Sequence, residues 1–211
     1  DYSICGDCKL RGIANPDKSS GYADKRSCYV NIGQAPQRVW DCYTTGNGYK
    51  NISEDFEEME KIATDRQVRL GSYGDPMAIP REIWISLLKF SSGNTGYSHQ
   101  ENPDSDYLMI SADTEAEAWK AWDKEQRTFR SVESVEDIIK DKEVLCPASK
   151  EAGEIKAIKK GIDPEKYEDF LTTCEECQLC RGSNLSAKSV AIVIHGAGNK
   201  EKLAELIQLA A

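Results

Sequence analysis

No stretch of the 211-residue chain approaches the ~20 consecutive apolar residues that a membrane-spanning helix needs, so no membrane-embedded segment is expected. Positive charge is short as well. The 27 Lys and Arg residues face 36 Asp and Glu, for a formal net charge of −9. Nucleic acid is not favoured as a partner, because phosphate binding needs a basic face that this composition does not supply in bulk. A local basic patch stays open. No GxGxxG follows a first predicted strand, which argues against dinucleotide binding. Histidine is scarce, so imidazole chemistry falls on His99 or His195. The chain opens on Asp1 with neither a methionine nor an apolar leader. The expectations are a reducing, cytoplasmic setting and a truncated or processed start that lacks an opening element.

Cysteine, in contrast, is plentiful, with eight residues. A chain of this length can build a core without cross-links, so stability alone does not call for them. Short cysteine spacings in a reducing compartment serve metals more often than disulfides. The alternative is a secreted protein with four bridges, but three cysteines at x2 spacing are awkward to pair within disulfide geometry. Cys174, Cys177 and Cys180 stand at C-x2-C-x2-C spacing, and Cys146 lies upstream before Pro147. Such a run with a remote Cys-Pro suits iron-sulfur ligation, whereas zinc more often uses two separate Cys-x2-Cys pairs. The expected ligands of a [4Fe-4S] cluster are therefore Cys146, Cys174, Cys177 and Cys180, with zinc as the alternative metal. Near the start, Cys5 and Cys8 form a C-x2-C knuckle to which Cys28 could add a third thiolate. Cys42, among apolar neighbours at helical spacing, reads as a small core residue.

Residues 1–50 read as cysteine-rich loops in a single 1–211 β/α domain. Beyond them strands and helices alternate. Helices are expected at 53–64, after Pro80, from the Thr114-x-x-Glu117 capping box (burying Ala118, Trp119 and Trp122), at 135–140 and at 200–209. Strands are expected at 67–70, 95–99, 107–112, 128–132, 143–146 and 189–195, the last a Val-Ala-Ile-Val-Ile run suited to burial on both faces of a parallel sheet. The acidic and Lys-rich stretch 150–171 reads as a solvated helical insert. The fold class is α/β, with a partial or irregular (β/α) barrel preferred to an open doubly wound sheet.

In such folds ligands gather at the carboxyl ends of strands. Those ends carry Ser72, Tyr73 and Asp75; Ser98, His99 and Gln100; Ser111 and Asp113; Arg130; Cys146; and His195 before Gly196-Ala-Gly198. His99, His195, Asp75 and Arg130 are the catalytic candidates, and Gly196 and Gly198 could offer N–H groups to an anion. The competing readings are ordinary ones: Asp75 as a turn former before Pro76, Asp113 as support for the next helix, and both histidines as hydrogen-bonded packing residues.

Taken together, segments 4–12 (ICGDCKLRG), 27–34 (SCYVNIGQ), 68–76 (VRLGSYGDP), 96–100 (GYSHQ), 127–130 (RTFR), 145–149 (LCPAS), 172–174 (TTC) and 189–196 (SVAIVIHG) resemble an uncharacterised cysteine-rich family carried by bacteriophages and plasmids. The resemblance spans nearly the whole chain. It implies an intracellular protein whose shared signature includes Cys5, Cys8, Cys28, Cys146, Cys174, Cys177 and Cys180; Cys42 falls outside it, and 150–171 is longer than usual. The β/α alternation with cysteines also resembles radical S-adenosylmethionine enzymes, although their C-x3-C-x2-C loop is not present. A cluster held by four thiolates has no open iron, whereas a Cys5, Cys8 and Cys28 set would leave one position free.

Three functions are compatible with these residues. The first is an iron-sulfur protein with a redox or radical-type site, acting on a small molecule. The second is a non-catalytic binding protein, stapled by zinc or a cluster, that meets a host or phage protein during phage or plasmid replication or host takeover. The third, a metal-supported nuclease or nucleotide-processing enzyme, has only Asp75 and Asp113 as well-placed carboxylates.

Overall fold

Parallel strand pairing orders the chain from residue 67 onward. In a computed structural model, which describes residues 2–17, 23, 24, 26, 28, 30, 31, 33–52, 54–101, 103, 106–182 and 186–194, the elements run as follows. Helix α1 (Tyr2–Cys5) precedes a two-stranded antiparallel ribbon, β1 (Ile13–Ala14) with β2 (Ala23–Asp24). Helices α2 (Ala35–Thr44) and α3 (Phe56–Ala63) lead into β3 (Gln67–Arg69), α4 (Arg81–Leu88), β4 (Gly93–Thr95), β5 (Tyr97–Ser98) and β6 (Met109–Ala112). Then come α5 (Glu115–Trp122), β7 (Thr128–Val132), β8 (Glu143–Leu145), α6 (Lys150–Lys159), α7 (Cys174–Cys177) and β9 (Ser189–Val193). The larger sheet has the order β5-β6-β7-β9-β8 and is parallel throughout; β3 and β4 form a second parallel pair. The protein is thus α/β with parallel sheets. His195, Gly196, Gly198 and the expected helix 200–209 lie outside the described residues. Among the described residues, no helix is long and apolar enough to cross a membrane.

The strand expected at 95–99 is split by Gly96 into β4 and β5. A side chain there would meet Leu108 Cδ2 at 2.7 Å and Leu70 Cβ at 3.0 Å, so only hydrogen fits. The Gly96 carbonyl accepts from Met109 N at 3.0 Å, and its N–H donates to the Cys180 carbonyl at 3.2 Å. This glycine therefore fastens the cysteine loop to the sheet. Around it, Leu70, Tyr107 and Leu108 pack with Val68, Trp84 and Leu88, joining β3 to α4.

Along β7, Thr128, Arg130 and Val132 are buried while Phe129 and Ser131 are half-buried, the period-2 signature of two unequal faces. On the covered face, Val132, Ala191 and Val193 pack with Val135, Ile138 and Leu145. Helix α5 closes the same region. It begins with the Thr114/Glu117 capping box, buries Ala118 and Ala121, and sends Trp122 Nε1 to Ser189 Oγ at 2.8 Å. Trp119, expected in the core, is instead 42% exposed and bonds Glu115. Strand β9 matches its all-apolar pattern, with every residue but Ile192 buried.

Two other expectations change. Residues 150–171 are helical, as α6 and the 3-10 helix Pro164–Phe170, but Ala152, Gly153 and Ala157 are buried between them, so the insert has a small packed seam. The amino-terminal region contains α2, which buries no residue; Cys42 is half-buried there rather than in a core. Helix α3 starts at the Asp55 cap, whose side chain accepts from Glu58 N.

Gly96→Ala is expected to cost about 1–3 kcal/mol through overpacking against Leu70 and Leu108. A urea unfolding curve checks this, and an unchanged midpoint would show that the contact relaxes freely.

Candidate thiol and metal centres

At the carboxyl end of β3 the chain turns through Gly71 and Gly74 to Asp75, which is 5% exposed. Its carboxylate caps the 3-10 helix Pro76–Ala78 by accepting from Met77 N, as the turn-forming reading anticipates. It does more than that. Oδ1 also accepts from Ser98 Oγ at 2.6 Å, and Oδ2 accepts from His99 N at 2.8 Å, so one side chain ties the ends of β3 and β5 together. The Asp75 N–H donates to Ile4 O at 2.9 Å, bringing in the amino-terminal segment. Gln100 adds to that contact through Nε2 to Cys5 O at 2.9 Å, while its Oε1 accepts from Asp7 N at 3.2 Å. Gly74 has φ +129°, and a Cβ on it would lie 2.5 Å from Ile4 O, so glycine is required for this approach.

This docking carries Cys8 to the strand ends. Ligand atoms of Cys8, Asp75 and His99 all lie within 4.8 Å of one another. The His99 ring hydrogen-bonds Cys8, and its Nε2 lies 3.2 Å from Asp113 Oδ1. Lys9 Nζ pairs with Asp113 Oδ2 at 2.9 Å and with Glu117 Oε1 at 2.5 Å. Burial alone would lower the His99 pKa, but Asp113 and Cys8 overcome it and push it up to about 10. Asp113 is buried too, yet His99 and Lys9 hold its carboxyl below the usual range. Cys5 sits in the same neighbourhood: burial raises its thiol, and Cys8 and Cys28 add to the rise. A cleft lined by Arg69, Tyr73 and Trp84 also reaches Asp75.

The remaining expected ligands form a second group. Cys146 follows β8 and donates its N–H to Ala191 O at 2.7 Å. The insert returns to this point, because Thr172 N reaches Pro147 O at 3.5 Å. Thr173 then caps the single turn α7 with Cys174 and Cys177, Gln178 adopts the left-handed conformation, and Cys180 arrives beside Gly96. Cys180 is pushed up to about 12 by burial and then by Cys146, Cys174 and Cys177; Cys146 is raised by burial and by Cys174 and Cys177. Tyr97, stacked on Phe129 at 4.4 Å, is raised by burial and by Cys180, Cys174 and Cys146. All eight cysteines are free of disulfides.

Arg130 does not share the mouth with these residues. It lies on the covered face of β7, where Nε and Nη2 grip the Glu143 carboxylate at 2.8 and 2.6 Å and Nη2 also reaches Asp137 O. Asp113, rather than Arg130, touches His99 directly. The Thr114-x-x-Glu117 box hides this role, because it makes Asp113 look like a mere helix lead-in. Ser98, a strand-end residue, and Lys9, which no local pattern marks, also belong to the network. Compared with known proteins, the chain matches no family model, no curated protein and no solved structure.

Gly74→Ala is expected to push Ile4 off Asp75 and speed proteolysis within 4–12 several-fold, while the strand core keeps its circular dichroism. Arg130→Met leaves Glu143 buried without its partner and is expected to cost about 3–5 kcal/mol, whereas Arg130→Met/Glu143→Leu recovers most of the loss. Denaturant unfolding of the single and double variants distinguishes this structural pair from a catalytic arginine.

Proposed function

We propose that the chain is an iron-sulfur protein that holds a [4Fe-4S] cluster through Cys146, Cys174, Cys177 and Cys180. The observation that carries this reading is the grouping of four disulfide-free thiols, in which Cys146 from a strand end and Cys174 and Cys177 from a returning loop gather near Cys180. Thiolates are the donors such clusters use, and a C-x2-C-x2-C run with a remote Cys-Pro is a spacing they adopt. A mononuclear zinc site would hold its sulfurs about 3.8 Å apart. Zinc more often uses two separate Cys-x2-Cys pairs, so the sequence spacing favours the cluster.

On this reading the cluster supplies one-electron chemistry next to the strand ends, and a small molecule is the substrate. Tyr97, stacked on Phe129, lies near Cys180, Cys174 and Cys146. The parallel strands are part of an irregular (β/α) barrel of the radical-enzyme kind, and the protein works in the cytoplasm of a cell that carries a phage or plasmid. A second reading is favoured by α2, where Trp40 and Tyr43 are 56% and 49% exposed. There the metal centres staple loops, and a host or phage protein docks on the aromatic face.

Anaerobically purified protein is expected to be brown and to carry about four irons and four sulfides per chain, with Cys177→Ser losing most of both. Iron and sulfide analysis with electron paramagnetic resonance reads this. Colourless protein with zinc released only by Cys146-group substitutions would overturn it.

A further inference from the structure

We infer that Cys8, Asp75 and His99 form a separate mononuclear site for a divalent transition cation of the zinc class, with one coordination position open. The proposal is independent of the iron-sulfur reading, since it uses none of the same residues. It also differs from an all-thiol set of Cys5, Cys8 and Cys28, because here two of the three donors come from strand ends 67 and 91 residues away from Cys8.

Geometry favours this donor set. The three ligand atoms lie within 4.8 Å of one another. Bonds of 2.0–2.3 Å in a tetrahedral site would bring them to about 3.3–3.8 Å, a contraction of at most about 1.5 Å. Thiolate, imidazole and carboxylate together suit zinc or ferrous iron, whereas calcium and magnesium prefer oxygen alone. Three protein ligands with a fourth position left over is the arrangement of catalytic rather than structural zinc.

The surroundings also fit. His99 Nε2 is engaged by Asp113, which leaves Nδ1 to face a metal and reproduces the carboxylate-histidine-metal relay that fixes ring orientation. Lys9 holds the other Asp113 oxygen, so this outer carboxylate is itself anchored. Asp75 is oriented before any metal arrives, by Met77 N, Ser98 Oγ and His99 N. Oδ1 takes two of those bonds and Oδ2 only one, which leaves Oδ2 with acceptor capacity. Because Asp75 also lines the cleft with Arg69, Tyr73 and Trp84, a ligand entering that cleft would arrive next to the metal.

The test is cobalt(II) titration of chelator-stripped full-length protein in a Cys174→Ser/Cys177→Ser background, which silences the other centre. One cobalt per chain is expected, with a thiolate-to-cobalt charge-transfer band. Cys8→Ser should abolish that band, and His99→Ala should weaken binding at least about tenfold. Asp113→Asn, which changes a positioning residue, should weaken it about 10- to 100-fold. His99→Cys should retain cobalt and intensify the band, and this variant keeps the test decisive if His99→Ala misfolds by circular dichroism. Absence of cobalt binding, a band that survives Cys8→Ser, or a band lost in Cys5→Ser or Cys28→Ser but untouched in His99→Ala would overturn the proposal.

Discussion

The buried carboxylate of Asp75 is the constraint on which the mouth of the sheet depends. Charge that is taken out of water must be matched by hydrogen bonds, or the fold gives way at that point. Asp75 is matched by Met77 N, Ser98 Oγ and His99 N, while its own N–H holds Ile4 O. Bonds to an ionised group contribute about 1.5–3 kcal/mol each, so this one side chain fixes three segments with more energy than short strands such as β5 could supply alone. Without that knot the amino-terminal segment is held by Gln100 and by the Lys9 ion pairs, since α2 buries no residue.

Strand periodicity then decides what each face can do. Thr128, Arg130 and Val132 turn toward the covered side, so Arg130 finds Glu143 there. Tyr97 lies in β5 and His99 directly follows that strand. The first meets the carboxy-terminal thiols, and the second meets Cys8 and Asp113. Two groups of titratable side chains are thereby served by one short edge strand.

Much of this frame could be read from the residues in order. The Val-Ala-Ile-Val run, the Thr114 capping box and the strand-end positions of Asp75, His99 and Cys146 follow from local pattern, and the structure contains each of them. What local pattern does not carry is direction and distance. A one-residue difference in facing separates a mouth arginine from a buried one, and Arg130 falls on the covered side. Cys8 and His99 are 91 residues apart, so no spacing rule joins them. Gly96 splits a strand for a reason that lies in Leu70 and Leu108, not in its own neighbours. Cys42 and Trp119 show the same limit in reverse: helical periodicity names an apolar face but does not provide a surface to cover it.

The two centres differ in how the chain reaches them, and this bears on what each can control. The carboxy-terminal group draws three of its four thiols from one short loop, and the fourth stands next to the point where the insert closes on itself at Pro147. The packed seam of α6 and the 3-10 helix helps bring the ends of that loop together. The amino-terminal group joins residue 8 to residues 75 and 99, so each contact closes a long loop and depends on Asp75 and Gln100 being in place. A centre assembled that way is sensitive to whatever moves the first dozen residues. The insert-borne thiols are buffered from the same movement by their own local fold. The carboxy-terminal group therefore does not depend on the contacts that hold the amino-terminal one.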